Sequence, residues 1–247
     1  MSKKIYFASD FHLGTPSYEA SLEREKKICR WLDMVAEDAE HIYLLGDLFD
    51  FWFEYRFAVP KGFLRFQGKL AELRDRGVPI TFFTGNHDMW MFDYFPKELG
   101  VEVIREPIDV EWWGKKFHIG HGDGLGPGDY TYKFIKKVFA NPLCQWLFGF
   151  LHPTIGMGIA QTWSKQSRAA GAEKDHEYHG PEKEWIWLYC QQKQKEEYRD
   201  YYIFGHRHLY LELDVDNGGK YINTGEWLSQ YKYATFDGEK VELLTFE

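Results

Sequence analysis

Five short segments carry side chains that together could grip two divalent cations: Asp10-Phe11-His12, Gly46-Asp47-Leu48-Phe49-Asp50, Gly85-Asn86-His87-Asp88, Gly120-His121-Gly122-Asp123 and Gly205-His206-Arg207-His208. Between them they supply Asp10, His12, Asp47, Asn86, His121, His206 and His208. Seven oxygen and imidazole donors with no thiolate are about what a metal pair needs when one carboxylate bridges it. Such donors suit Mn²⁺, Fe²⁺ or Zn²⁺, with Mn²⁺ favoured where carboxylate and amide share the shell. Two metals so placed clamp the attacking and leaving oxygens of a phosphoryl displacement.

Each segment alone has an ordinary explanation. Asp-x-His usually marks a surface turn, and Gly-Asn-His-Asp fits a turn because Gly and Asn tolerate positive φ. Conjunction and placement decide against that. Asp10, Asp47, Asn86 and His206 follow apolar, strand-like runs at 5–8, 42–45, 80–83 and 202–204, and His121 follows another at 117–119. Ligands in α/β folds collect outside the carboxyl ends of strands, where every candidate here stands.

The elements that must position these residues follow from periodicity. Strands are expected at 5–9, 41–45 and 78–83, and helices at 18–39, with Ile28, Leu32 and Val35 at helical spacing, and at 63–76, ended by Gly77. Short strands follow near 101–104, 108–113 and 115–119, then a charged helix at 182–199. The remainder (201–204, 209–215, 221–223, 231–236 and 241–246) reads as antiparallel strands with turns at 216–219 and 237–238. The expected architecture is an α/β sandwich.

Spacing exposes an insertion. Asp10, Asp47, Asn86 and His121 are separated by 37, 39 and 35 residues, but His121 and His206 by 85. The excess lies mostly in a stretch without acid: residues 130–170 contain no Asp or Glu but carry Lys133, Lys136, Lys137, Lys165 and Arg168. Tyr130, Phe134, Ile135, Val138 and Phe139 share one helical face and the first three lysines the other. Asn141-Pro142 and Pro153 start two further segments, rich in apolar residues such as Trp146 and Phe148. A helical subdomain with its own small core would explain this. A lid with apolar surface and a cationic rim, suited to an acyl-bearing phosphate or an anionic membrane surface, explains the charge pattern as well.

At 247 residues the chain suits one domain with an insertion at about 124–180. The net charge of −8 argues against nucleic acid as a partner. Cys29, Cys144 and Cys190 form no C-x-x-C pattern and read as buried thiols of a reducing compartment. Strand-like sequence begins too early for a signal peptide, and no run of about eighteen apolar residues would span a bilayer. A cytoplasmic, peripheral protein is expected.

In order and spacing the motifs resemble the calcineurin-like metallophosphoesterase superfamily. Gly46-Asp47-Leu48-Phe49-Asp50-Phe51-Trp52, His121-Gly122-Asp123-Gly124-Leu125 and the helical insertion look, more narrowly, like the UDP-2,3-diacylglucosamine hydrolases. The resemblance implies a β-sandwich flanked by helices, with a helical lid insertion. It also implies two divalent ions, Mn²⁺ favoured over Zn²⁺ or Fe, and cleavage of an acylated UDP-sugar at the inner-membrane surface in lipid A synthesis. Asp10, His12, Asp47 and His208 would hold one ion, and Asp47, Asn86, His121 and His206 the other. His87 would hydrogen-bond the phosphoryl oxygen or protonate the leaving group, and Asp88 would orient it. The best-characterised branch carries Arg where this chain has His87, which matches the wider superfamily. Asn86, Trp146, Phe148, Lys165 and Arg168 are the expected substrate contacts. Asp50 and Asp123 would support the ligands, while His41, His118, His152, His176 and His179 would be structural or surface residues. A soluble phosphodiesterase or nucleotide pyrophosphatase of the same superfamily is the alternative.

Overall fold

The computed structural model of the chain describes residues 3–128, 130–160, 162–164 and 178–247. Lys4–Ala8 (β1) leads through helix Tyr18–Val35 (α1) to Ala39–Leu44 (β2), then through Leu64–Asp75 (α2) to Ile80–Phe83 (β3). A six-residue helix, Tyr94–Leu99 (α3), precedes Glu102–Ile104 (β4), Ile108–Trp112 (β5) and Lys115–Ile119 (β6). Tyr130–Ala140 (α4), Pro142–Gly149 (α5) and helical residues 153–160 (α6) follow. The chain returns through Trp185–Glu196 (α7) to Tyr201–Phe204 (β7), Tyr210–Val215 (β8), Gly219–Thr224 (β9), Lys232–Phe236 (β10) and Val241–Thr245 (β11).

The strands form two sheets, ordered β11-β10-β1-β2-β3-β4 and β5-β6-β7-β9-β8. Alternation in β1 shows how they pack. Ile5 and Phe7 join Tyr43, Phe83, Phe117 and Ile203 in an apolar layer drawn from both sheets, whereas Tyr6 and Ala8 face Ile28, Trp31 and Leu70 on the opposite side. Both faces of β1 are thus buried, as in a parallel sheet covered by helices. On the far side Ile186 and Cys190 of α7 cover Tyr202, Phe204 and Tyr221 of the second sheet. Two sheets lie between helices. Each fully buried Phe or Ile in these layers contributes roughly 1.5–3 kcal/mol.

Local signals explain the helix starts. The Ser17 hydroxyl accepts from Ala20 N at 3.2 Å and begins α1. α2 has no side-chain cap of its own; Glu25 of α1 accepts instead from Arg65 N and Phe66 N at 2.8 and 3.0 Å. Asn141 accepts from Leu143 N at 2.9 Å, with Pro142 in the first turn, and starts α5.

Two expectations need correction. The C-terminal strands are not uniformly antiparallel: β7 pairs in parallel with both β6 and β9, and β10 crosses back to lie antiparallel beside β1. Periodicity reports burial, and β7 is buried on both faces whichever way its neighbours run. The second correction concerns cysteine: all three are free, but only Cys190 is buried, Cys29 and Cys144 being partly exposed.

Candidate metal centre

Parallel β1, β2 and β3 in one sheet and β6 and β7 in the other bring five loops together beyond their carboxyl ends. The backbone there is strained. Asp10, His12, Asp47, His206 and His208 all take left-handed φ, between 44° and 69°. Non-glycine residues avoid this region because Cβ crowds the carbonyl, so five at one place mark a site held by its surroundings. The glycines give the loops room to converge. A Cβ on Gly46 would lie 2.7 Å from His121 Nδ1, and one on Gly85 would run into the Asp47 carboxylate.

The donors converge as two groups sharing Asp47. Ligand atoms of Asp10, His12, Asp47 and His208 lie within 4.8 Å of one another, as do those of Asp47, His121 and His206. Asp47 Oδ1 accepts from His87 N at 2.9 Å. Its Oδ2 lies 3.8 Å from His12 Nε2 and 3.4 Å from His121 Nε2, so one oxygen faces both groups. Asn86 Oδ1 joins the second group, 3.3 Å from His121 Nε2.

These donors fit cations better than one another. His12 Nε2 and His208 Nε2 face each other at 3.0 Å, with Asp10 Oδ1 3.3 Å from the latter. That Asp10 oxygen is buried and makes no hydrogen bond. His121 Nδ1 is 2.7 Å from the Leu45 carbonyl and must donate to it. A neutral His121 therefore turns its Nε2 lone pair toward two oxygens, an arrangement that a proton or a metal must relieve. Burial works against a charged His121 ring, but Asp47 overrides it and raises the pKa to about 10. Burial would raise Asp47; the neighbouring His121, His87 and His12 instead hold it well below the carboxylate range. A divalent ion would displace the proton from the same place, so loading should release protons.

Buried groups brace the loops. Asp88, fully buried, accepts from Gly85 N and Leu48 N at 2.8 and 2.7 Å, and from Asp47 N and Phe49 N at 3.3 Å. Burial and the charge of Asp47 push its pKa up to about 7. Arg24 Nη2 donates to the carbonyls of His12 and Thr15 at 2.6 and 2.5 Å. His206 N donates to Asp10 Oδ2 at 3.0 Å.

Asp88 was expected to orient His87, and this is corrected. Its carboxylate is taken up by the four amides of the Asp47 and Gly85 loops. His87 Nδ1 instead meets the Asp50 carbonyl at 3.1 Å and Ser164 Oγ at 3.0 Å. Ser164, in the helical residues 162–164, is 5% exposed and was missed from sequence; no local pattern distinguishes it from other serines. The His87 ring stands 4.9 Å from that of His12, beside the first donor group. Asp50 groups with His12 and His87.

Asp123 ties α4 to the His121 loop. Its carboxylate accepts from Tyr132 at 2.5 Å and pairs with Lys136 at 2.8 Å, while Lys133 donates to the Gly126 carbonyl. Two of the three α4 lysines expected on a cationic rim thus turn inward. Phe148 packs on Phe53 and Trp90, with centroids 4.7 and 5.0 Å apart, and docks α5 on the body of the protein. Trp146 stays 59% exposed, in company with Phe134, Leu143, Leu147 and Phe150. Lys165, Arg168 and His176 lie outside the described residues. No described helix is long and apolar enough to cross a membrane.

A family model, calcineurin-like phosphoesterase, matches residues 3–210. The chain belongs to that family. It is a metallophosphoesterase, a hydrolase whose buried His and Asp cluster suits divalent ions. A UDP-2,3-diacylglucosamine hydrolase of Porphyromonas gingivalis is 38% identical over 259 residues, spanning 100% of this chain and 99% of the relative. Proteins of the same name from Shewanella sp. and Shewanella baltica are 27% and 28% identical over 97% and 99% of this chain, and over 95% and 98% of their own lengths.

Proposed function

We propose that this metallophosphoesterase hydrolyses the pyrophosphate of UDP-2,3-diacylglucosamine to UMP and 2,3-diacylglucosamine 1-phosphate, a step of lipid A synthesis. The observation that carries this reading is the full-length, 38% identity to a hydrolase of that name. Asp10, His12, Asp47 and His208 would hold one ion, and Asp47, Asn86, His121 and His206 the other. The carboxylate and amide donors favour Mn²⁺. Bound there, two such ions would make a nucleophile available at neutral pH and offset charge on the reacting phosphoryl group.

The chain's own residues do the rest. His87, its Nδ1–H given to the Asp50 carbonyl, presents Nε2 to the phosphoryl oxygen or the leaving group and, when both ring nitrogens carry a proton, gives it a hydrogen bond or that proton, leaving the neutral ring. Asp88 holds the Asp47 and Gly85 loops at the spacing that lets Asp47 serve both ions. The insertion acts as a lid over a single domain. Its exposed apolar face, with Trp146, takes the acyl chains and rests on the anionic inner-membrane surface from the cytoplasmic side. No nucleic acid is needed.

The acyl-chain part of this reading is tested by the triple variant Trp146→Ser, Leu147→Ser, Phe150→Ser, since those side chains are exposed and bury nothing essential. Activity on UDP-2,3-diacylglucosamine should fall by about tenfold or more, from lost apolar burial of the acyl chains, with a soluble aryl phosphodiester turned over as before. Equal loss on both substrates would reduce the insertion to a structural role.

A further inference from the structure

Arg207 stands between two candidate ligands, His206 and His208, and takes no part in the metal reading. Arg207 is 3% exposed, and both carboxylate oxygens of Glu184, itself 1% exposed, lie 3.1–3.2 Å from its Nε. The Trp185 ring lies 4.0 Å from its guanidinium carbon. Glu184 directly precedes α7, where the chain returns from the insertion.

A buried ion pair is a poor source of stability, because desolvating two charges offsets their attraction, and apolar residues of similar volume often serve as well. Fixed geometry is what such a pair supplies. This loop needs it: His206 and His208 both hold left-handed φ, 69° and 51°, which only surrounding contacts can maintain. The start of α7 also touches the other histidine loop. A Cβ on Gly122, next to His121, would lie 2.8 Å from Ile186 Cδ1, and one on Gly126 would strike the Trp185 carbonyl.

We infer that Glu184 and Arg207 are positioning residues for the metal centre. Their ion pair fixes the Gly205–His208 loop on the start of α7 and sets the direction in which His206 and His208 present their ring nitrogens. This rests on the assignment of both histidines as ligands. A control separates the two ideas: metal-stripped wild-type protein should take up two Mn²⁺ in an EPR titration, and His206→Ala should lose tight binding of one.

The test compares Mn²⁺ affinity, the Co²⁺ visible spectrum and metal-free thermal unfolding in Arg207→Lys and in the double variant Arg207→Met, Glu184→Met. The double variant should unfold close to wild type without metal, yet bind Mn²⁺ about 10- to 100-fold more weakly, as when groups that orient ligands are removed, with shifted Co²⁺ bands. Arg207→Lys keeps the charge but not the planar fork, and should fall between the two. Wild-type Mn²⁺ affinity with an unchanged Co²⁺ spectrum in the folded double variant would overturn the inference while leaving the ligand assignment standing. Should the double variant fail to fold, the same pair of readings on Arg207→Lys decides the matter.

Discussion

Asp10, His12, Asp47, His206 and His208 sit in a backbone conformation that side chains normally avoid, and the contacts that hold them there are the chemistry of this site at its smallest scale. Each such residue costs on the order of 1–3 kcal/mol, which the surrounding hydrogen bonds must offset. Asp88 and Arg24 supply several of those bonds and touch no reacting group. His87 differs: its backbone N–H serves Asp47, but its ring belongs to neither ligand group that shares Asp47. Replacing His87 with Ala should therefore leave both Mn²⁺ sites loaded while turnover falls by about 10²–10⁴-fold, the usual worth of a positioned acid. Metal analysis beside single-turnover kinetics checks this, and loss of metal would move His87 among the ligands. The donor types and their order were legible in the sequence, because Asp, Asn and His in Gly-flanked segments have few other reasons to recur at strand ends. The left-handed φ values and the contact of Ser164 with His87 were not. Both arise from neighbours distant in sequence, as Asp50 and Ser164, 114 positions apart, illustrate.

Strands and helices with strong periodicity followed the pattern of their residues: α1 ends at Val35 and α2 at Asp75, each within a few positions of its expected end. The six-residue α3 went unread because it is too short for an apolar stripe and takes its first amide contacts from Glu54, some 40 residues earlier. Strand direction in β7 was hidden for a related reason, since a strand buried on both faces carries no mark of its partners' polarity. His41 in β2 gives a prediction at this scale. Its ring stacks on Tyr43 at 4.0 Å and meets Thr81 Oγ1 of β3 at 2.9 Å. Burial, helped by Arg74, lowers its pKa from 6.5 to about 4. Between those two values the unfolded chain binds more protons than the folded one, so this contribution is complete above pH 6.5 and is lost as pH falls toward 4. Metal-free His41→Phe, which keeps the stack, should lose less stability than wild type over that window in urea titrations. Parallel pH curves for the two proteins would exclude His41 as the cause.

At the scale of the whole molecule, two sheets between helices create one edge at which strands from both end, and the groups that could hold metal lie where those ends meet. The sandwich was legible because its apolar runs are regular. The course of the helices after residue 130 was legible only in part: apolar spacing marked them, but not that Lys136 would turn inward to Asp123 or that Phe148 would dock on Trp90. A charge on a helical wheel faces solvent only until a buried carboxylate is brought near it. The measurement that tests the account most directly is product analysis by mass spectrometry, with purified protein given UDP-2,3-diacylglucosamine and Mn²⁺. The expected products are UMP and 2,3-diacylglucosamine 1-phosphate, their formation abolished by a chelator and restored by Mn²⁺. Release of UDP, or an intact lipid beside rapid turnover of a soluble aryl phosphodiester, would contradict it.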